Sequence, residues 1–314
     1  MYVKEFWEAR MKIDKLTKEV LSQIMSLHEM DEGAVSLRKN GKSEIMKSSD
    51  NIEISPKEDL SGINVYVRSS CKGEVCHIPV VITENDYVDL VYNDFYIEDG
   101  AEVTIVAGCG LHSSEDSSHD GVHTIYVGKN AKLTYVENHI ALGKGKNKNL
   151  SPVTVLKLDK NSNVIMKTTQ IGGVDYSNRI TKAKLAENAT LDITEKIMTD
   201  KFNVAKTNFK VELIGENSVC NISSRSVARG ESEQKFDSVV LGKNKCFAHV
   251  SCDAILLDNA KVVSIPKIDA RNNQAEINHE AVVGKIAGEQ IEKLMTLGLT
   301  KKQAEEKIIE GFLK

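Results

Sequence analysis

The chain has 314 residues, of which 41% are hydrophobic and 27% charged, and its formal net charge is −4. This composition is typical of a soluble globular protein, and the charge gives no electrostatic basis for binding nucleic acid or an anionic membrane. No apolar run approaches the length of a membrane span, and the N-terminus is too mixed in charge for a signal peptide. A cytoplasmic protein is therefore expected, with its six cysteines as reduced thiols.

The first predicted element is a single amphipathic helix over residues 3–30. Apolar residues recur there at steps of three and four, namely Phe6, Ala9, Ile13, Leu16, Val20, Ile24 and Leu27. We expect this helix to pack on the main domain rather than to stand free as a partner-binding helix. A polar segment with breakers at Gly33, Gly41 and Pro56 follows it and predicts a linker, so the first predicted unit covers residues 1–61.

An internal repeat dominates the short β-branched segments that run from about Gly62 to Ile268. The repeated phrase reads apolar–x–x–Asn/Gly–small–x–apolar, and its turn residue is Gly100, Asn130, Asn161, Asn188, Asn217 and Asn244, with a shorter copy around Asn259. A period in this range without helices indicates stacked strand–turn–strand coils, in which Asn or Gly supplies the left-handed turn conformation. We predict a mainly β fold, a right-handed parallel β-helix over residues 62–268. The alternative, an antiparallel sandwich, needs no fixed period.

Two short helices are predicted in a C-terminal segment over residues 269–314. The first covers residues 287–297 and ends at Gly298, a typical helix stop. The second covers residues 300–312, where Thr300 and Gln303 have the spacing of a capping box. Such helices either cover the end of the β-helix or form a docking surface.

The segment from Ala270 to Ile286 resembles the C-terminal signature of the SufB/SufD family. It reads ARNNQAEINHEAVVGKI, and the further family elements Glu289-Gln290-Ile291, Leu297-Gly298-Leu299 and Gly311-Phe312 follow in order. The resemblance implies a scaffold, not an enzyme, on which an iron–sulfur cluster forms transiently. It also implies a SufC-like ABC-type ATPase as a partner, bound through the C-terminal helices. The chain has no P-loop sequence, so we expect it to bind no nucleotide itself.

The resemblance assigns the cluster site to Cys252, His279 and Glu280. A thiolate is the soft ligand expected for iron in a cluster, although a buried core cysteine is the ordinary alternative. The His-Glu pair is similar to SufB, whereas SufD members have His-Gly at this point. The family pairs two scaffold subunits near this end of the β-helix, which implies a homodimer for a chain with a single scaffold type.

A second group of candidate ligands is Cys109, His112, His119 and His123. Their spacing, C-x2-H-x6-H-x3-H, is compatible with a metal site in a long polar loop. The alternative is an acidic loop with incidental histidines. These residues leave open a metal-dependent hydrolase or another β-helix enzyme, such as a polysaccharide lyase, and a purely structural adaptor for the ATPase is a further possibility.

Overall fold

The computed structural model describes residues 13–25, 33–59, 61–145 and 147–314. Two long sheets face each other and form a parallel β-solenoid, which confirms the predicted β-helix. Sheet A contains, in spatial order, β2 (Lys42–Lys47), β1 (Ala34–Lys39), β5 (Lys72–Ile82), β7 (Glu102–His112), β9 (Lys132–Leu142), β12 (Asn163–Ile171), β14 (Thr190–Thr199), β16 (Ser218–Ala228), β18 (Cys246–Leu256) and β20 (Ala275–Gly284).

Sheet B forms the opposite wall of the solenoid. Its strands, in spatial order, are β19 (Lys261–Ala270), β17 (Glu233–Gly242), β15 (Val204–Leu213), β13 (Tyr176–Leu185), β10 (Lys148–Leu150), β8 (Ser117–Val127), β6 (Tyr87–Ile97), β4 (Ile63–Val67) and β3 (Ile52–Pro56), with β11 (Val153–Leu158) also between β13 and β8. Pairing is parallel except in the two N-terminal hairpins, β1–β2 and β3–β4. Alternate residues of each strand point into the bore and form a continuous apolar core.

Asparagine turns hold one corner of the solenoid. Asn130, Asn161, Asn188 and Asn217 all have φ between 53° and 59°, as the repeat predicts, and Gly100 has φ 71°. Three of these asparagines donate their amide to the asparagine of the preceding coil, over 3.1 Å from Asn161 to Asn130, 3.0 Å from Asn188 to Asn161 and 3.4 Å from Asn217 to Asn188. The left-handed conformation is not found at Asn244, and in the short copy it falls on Asp258 rather than Asn259.

The sheets extend beyond both predicted boundaries of the β-helix. β1, β2 and β3 lie in the segment predicted as a linker, and β20 lies in the segment predicted as C-terminal and helical. Asn40 and Gly41 explain the first difference, because both have positive φ (43° and 73°) and make the tight turn of the β1–β2 hairpin. The turn at residues 272–274 accounts for the second, because it returns the chain to sheet A for one more coil.

The N-terminal helix is shorter than predicted. Helix α1 covers Lys15–Ile24, because Asp14 caps it by accepting a 3.0 Å hydrogen bond from the backbone N–H of Thr17, and Met25 is extended. The predicted residues 3–12 and 26–30 lie outside the described part of the chain. As expected, α1 packs on the main domain: Val20 and Ile24 lie on the outer face of sheet A. Gly110 permits this approach, since a Cβ there would lie 2.1 Å from Val20 Cγ1.

The two C-terminal helices match their predicted positions closely. They are α2 (Gly288–Thr296) and α3 (Lys301–Phe312), and the Thr300–Gln303 capping box is present. Ile309 and Leu313 pack against Val227 on the outer face of sheet A, so α3 lies along the side of the solenoid. No residue of α2 is buried.

Candidate functional site

The Cys109–His123 segment is not a loop. β7 continues to His112 and β8 begins at Ser117, so four of the predicted metal ligands lie in strands joined by a short turn. Strand alternation then separates them: Cys109, His119 and His123 are buried on the inner face, whereas His112 is half-buried on the outer face. The prediction of a long polar loop carrying all four residues was therefore wrong.

The inward histidines already have protein partners. His119 Nδ1 lies 2.9 Å from Asp89 Oδ2, and His123 Nδ1 lies 2.6 Å from the Tyr135 hydroxyl. Burial lowers the pKa of His123 to about 4 and raises the pKa of the Cys109 thiol well above its usual value. Among the residues that the structure describes, no group of three or more His, Cys, Asp or Glu side chains is arranged to hold a metal ion. The geometry does not favour the hydrolase alternative.

An ionic network that the sequence did not reveal occupies the middle of the bore. Arg179 donates to Glu137 and lies 2.9 Å from His139 Nδ1, while its Nε lies 3.8 Å from Glu195 Oε1. Burial would raise the pKa of Glu137, but Arg179 and the neighbouring histidines outweigh it and hold that pKa at about 2. Burial raises the pKa of Glu195. Strand alternation places these charged residues on the inward face, and that pattern in the sequence could have predicted a buried ionic network.

The network extends to the coil next to the one that carries Cys252. Glu195 accepts hydrogen bonds from Ser224 (2.8 Å) and Thr207 (3.1 Å). Ser224 is in register with Cys252 of the next coil, so the two side chains are adjacent on the inner wall of sheet A. Burial raises the pKa of the Cys252 thiol to about 11, so this thiol is protonated at neutral pH.

His279 lies on the same inner face as Cys252, in the last coil. It is in register with Val250, while Cys252 is in register with Ala281, so His279 stands diagonally across from the thiol. Both ring nitrogens of His279 are shielded from solvent and have no hydrogen-bond partner among the described residues. Desolvation, with a smaller contribution from His249, lowers the pKa of His279, so its imidazole is neutral and can coordinate a metal.

Glu280, the third predicted site residue, lies on the opposite face of β20. Adjacent residues of a strand point to opposite faces, so Glu280 projects outward while His279 projects inward. Its Oε1 lies 3.2 Å from Nε2 of His249, a residue that sequence reasoning did not select. The two positions differ by 280 − 249 = 31 residues, one repeat period, and that spacing could have identified the pair.

Comparison with known proteins identifies the family of this chain. The model of the SufBD core domain of SUF-system iron–sulfur cluster assembly matches residues 82–312, well over half of the sequence. The chain belongs to the SufB/SufD family. The matched range includes Cys252, His279 and both C-terminal helices. None of the helices in the described ranges is both long and apolar enough to cross a membrane.

Several archaeal members of the SufB/SufD family are similar to this chain over most of their length. A SufBD family iron–sulfur cluster assembly protein of Methanocaldococcus jannaschii is 30% identical over 243 residues, which cover 76% of this chain and 75% of the relative. One from Archaeoglobus fulgidus is 27% identical, covering 84% of this chain and 72% of the relative. One from Pyrococcus horikoshii is 28% identical, covering 72% and 69%.

Proposed function

We propose that this protein is a scaffold on which an iron–sulfur cluster is assembled at the C-terminal end of the solenoid. The observation that carries the proposal is that Cys252 and the half-buried His279 share the inner face of neighbouring strands, and that both ring nitrogens of His279 have no hydrogen-bond partner in the described part of the chain. A shielded polar group without a partner costs free energy, so its position next to a thiol favours a role in holding a ligand. Family membership supports iron–sulfur cluster assembly as the process.

The chemistry of these two residues suits transient binding. Thiolate and neutral imidazole both coordinate iron, and the raised pKa of Cys252 means that metal binding must release a proton. Two ligands from one chain are fewer than the four protein ligands of a stable cluster site. Incomplete ligation allows the cluster, which is the cargo here, to be passed on. Glu280 projects from the outer face and contacts His249, so it could reach the same cluster only around the open edge of β20.

A second copy of the chain would complete the site in a homodimer. β20 ends sheet A and β19 ends sheet B at the same end of the solenoid, and neither edge pairs with a further strand among the residues described. Exposed apolar side chains accompany these edges, including Val263, Ile265, Val282 and Val283. Unpaired strand edges with apolar side chains favour association, and a two-fold pairing would bring two copies of Cys252 and His279 together.

The partner that hydrolyses ATP would bind the C-terminal helices. α3 is anchored on sheet A by Ile309 and Leu313, whereas α2 exposes Met295, with Leu297 76% exposed directly after it. An anchored helix pair with one free apolar side is suited to docking a SufC-like ABC-type ATPase. In this proposal, the chain has no catalytic activity of its own.

Anaerobic reconstitution with iron and sulfide tests the cluster site. Cys252→Ser should lose most of the bound cluster, measured by visible absorption and by iron and sulfide content. Cys246→Ser is the matched control, because Cys246 is also a buried, inward-facing cysteine of β18. If Cys252→Ser keeps its cluster, and Cys109→Ser or His123→Ala loses it instead, the site lies in the middle of the bore and the assignment is wrong.

A further inference from the structure

The outer face of sheet B is a large surface on which none of the described helices packs. α1 and α3 both pack on the outer face of sheet A. Five of the chain's eight tyrosines, Tyr66, Tyr92, Tyr96, Tyr126 and Tyr176, occupy outward positions on sheet B. Tyrosine is enriched at protein interfaces because it contributes a large, rigid contact area and a polar hydroxyl. This concentration on one face points to a contact surface.

Three of these side chains form a continuous ladder along the solenoid axis. Tyr66 and Tyr96 stack with centroids 4.8 Å apart, and Tyr96 and Tyr126 stack at 5.1 Å. The ammonium group of Lys157 lies 4.5 Å from the centroid of the Tyr126 ring and covers the exposed end of the ladder. Because the rings cover one another, they present their edges rather than their faces outward. Aromatic edges carry partial positive charge, so the ladder favours anionic groups over stacking ligands.

Lysines continue the same face beyond the ladder. We call Lys157, Lys182, Lys184, Lys206 and Lys210 the basic face. In the parallel register Lys157 stands opposite Lys184, and Lys182 stands opposite Lys210. Like charges directly opposite each other destabilise a sheet, by up to about 1 kcal/mol per pair. Glu212, the register partner of Lys184 on β15, partly offsets the repulsion among these lysines.

Other parts of the solenoid show the opposite arrangement. Lysines there pair with an acidic residue of the neighbouring coil, as in Lys132–Glu102 (3.3 Å), Lys160–Glu187 (2.9 Å) and Lys261–Glu233 (3.0 Å). Within the described residues, no ion pair involves Lys182, Lys184 or Lys210. The basic face therefore concentrates positive charge on a chain whose net charge is −4.

A shallow groove lies between the tyrosine ladder and the basic face. Its volume is about 550 Å³, and it is lined by Tyr96, Tyr126, Lys157, Lys184 and Ile214, with the carboxyl side chains Glu98 and Asp159 at its corner. Tyrosine edges lie beside the five lysines of the basic face, which outnumber the nearby carboxylates Glu98, Asp159 and Glu212. This surface matches a chain segment that alternates carboxylates with apolar side chains. We propose that the ladder and the basic face bind an acidic segment of a partner protein, laid across the coils of sheet B.

Synthetic peptides of matched charge test this proposal on the full-length protein. The probes are fluorescein-labelled Glu-Leu and Glu-Ser repeat peptides, with binding followed by fluorescence anisotropy at low and high salt. The Glu-Leu peptide should bind more tightly, and Tyr126→Ser should remove that preference. Lys157→Glu/Lys182→Glu/Lys184→Glu should weaken binding about tenfold or more, whereas Lys72→Glu/Lys132→Glu/Lys167→Glu on sheet A should not. Circular dichroism checks that each variant is folded.

Several outcomes would overturn the proposal. Equal losses in the two triple variants would show non-specific attraction to lysine. Absence of binding to either peptide by the folded wild-type protein would remove the acidic segment as the occupant. Binding of phosphatidylglycerol vesicles without peptide binding, lost in the sheet B variant, would identify a membrane surface instead. Self-association in sedimentation velocity that only the sheet B variant loses would identify a second copy of the chain.

Discussion

Nε2 of His249 and Oε1 of Glu280 lie 3.2 Å apart and join the last two strands of sheet A on their outer face. His279, the immediate neighbour of Glu280, points to the opposite side. His279 and Glu280 are adjacent in the sequence motif but lie on opposite faces of sheet A. We therefore expect the two side chains to differ in how much they contribute to cluster binding.

Glu280→Gln should reduce the iron and sulfide content of the reconstituted protein less than His279→Ala does. The carboxylate is exposed and already paired, whereas the imidazole is shielded and faces the side of the thiol. Anaerobic reconstitution of both variants side by side measures the difference. An equal or greater loss in Glu280→Gln would place the cluster at the outer face or at the strand edge.

Arg179→Met should strongly destabilise the fold. The substitution leaves Glu137 and Glu195 buried without their cation, which costs about 3–5 kcal/mol for a broken buried pair. Urea unfolding followed by circular dichroism measures the loss. Arg271→Met is the control, because the Arg271–Asp269 pair is exposed to solvent and its removal should cost far less stability. Similar costs for both variants would contradict a stabilising role of the buried network.

Mild acid should destabilise the protein through its buried histidines. Burial lowers the pKa of His123 from 6.5 to about 4, so between these values the unfolded chain binds a proton that the folded chain does not. Stability therefore falls as pH decreases through this window. His123 is surrounded by His119, Tyr135, Glu137 and Arg179. Glu137 has its pKa lowered from 4.5 to about 2, so the protein loses further stability as the pH falls below 4.5.

Urea midpoints near neutral pH and at about pH 5 measure this effect. His123→Gln should make the midpoint less dependent on pH, because glutamine does not titrate. The matched control is His112→Gln on the outer face of β7, which should keep the wild-type dependence. A pH dependence that His123→Gln leaves unchanged would contradict the assignment.

Asn161→Ala should cost more stability than Asn161→Gly. Asn161 has φ 59° and makes ladder hydrogen bonds to Asn130 (3.1 Å) and Asn188 (3.0 Å). Alanine loses these bonds and also opposes the left-handed conformation, for a total of roughly 2–3 kcal/mol, whereas glycine accepts the conformation freely. Chemical denaturation of both variants gives the comparison. Equal costs would show that the ladder, not the conformation, dominates.

Leu297→Asp should abolish co-purification with the proposed ATPase without unfolding the scaffold. Leu297 is 76% exposed, so the substitution disturbs only a bound partner. Lys293→Asp, in the last turn of α2 just before Leu297, is the control for a change of charge alone. Retained binding in Leu297→Asp would show that α2 is not the docking surface.

The repeat allowed the fold to be predicted because it constrains the backbone locally. Asn130, Asn161 and Asn188 each fix one turn through their own conformation, and three such turns define a stacked period. The N-terminal hairpin was missed although Asn40-Gly41 is a strong hairpin signal, because no copy of the repeat surrounds it. The turns could be predicted from the sequence wherever the repeat placed the same residue type at the same position.

The candidate site could be predicted only in part. The family signature pointed to Cys252 and His279, but their shared face depends on the register of β18 with β20. The ion pair between Arg179 and Glu137 joins positions 42 residues apart, and no local pattern links them. Pairing between coils is a tertiary property, so residues that act together need not form a motif in the chain.

The position of β20 as the last strand of sheet A has a mechanical consequence. A solenoid coil is held by its neighbours, so an inner coil has two interfaces and the final coil has one. Opening the final coil in the single chain therefore costs one interface, and the coils beneath can keep their pairing. His279 belongs to that coil and Cys252 to the one beneath it. Fraying from this end would uncover the thiol while the rest of the solenoid stays closed, so the proposed cluster site lies where opening costs a single interface between coils.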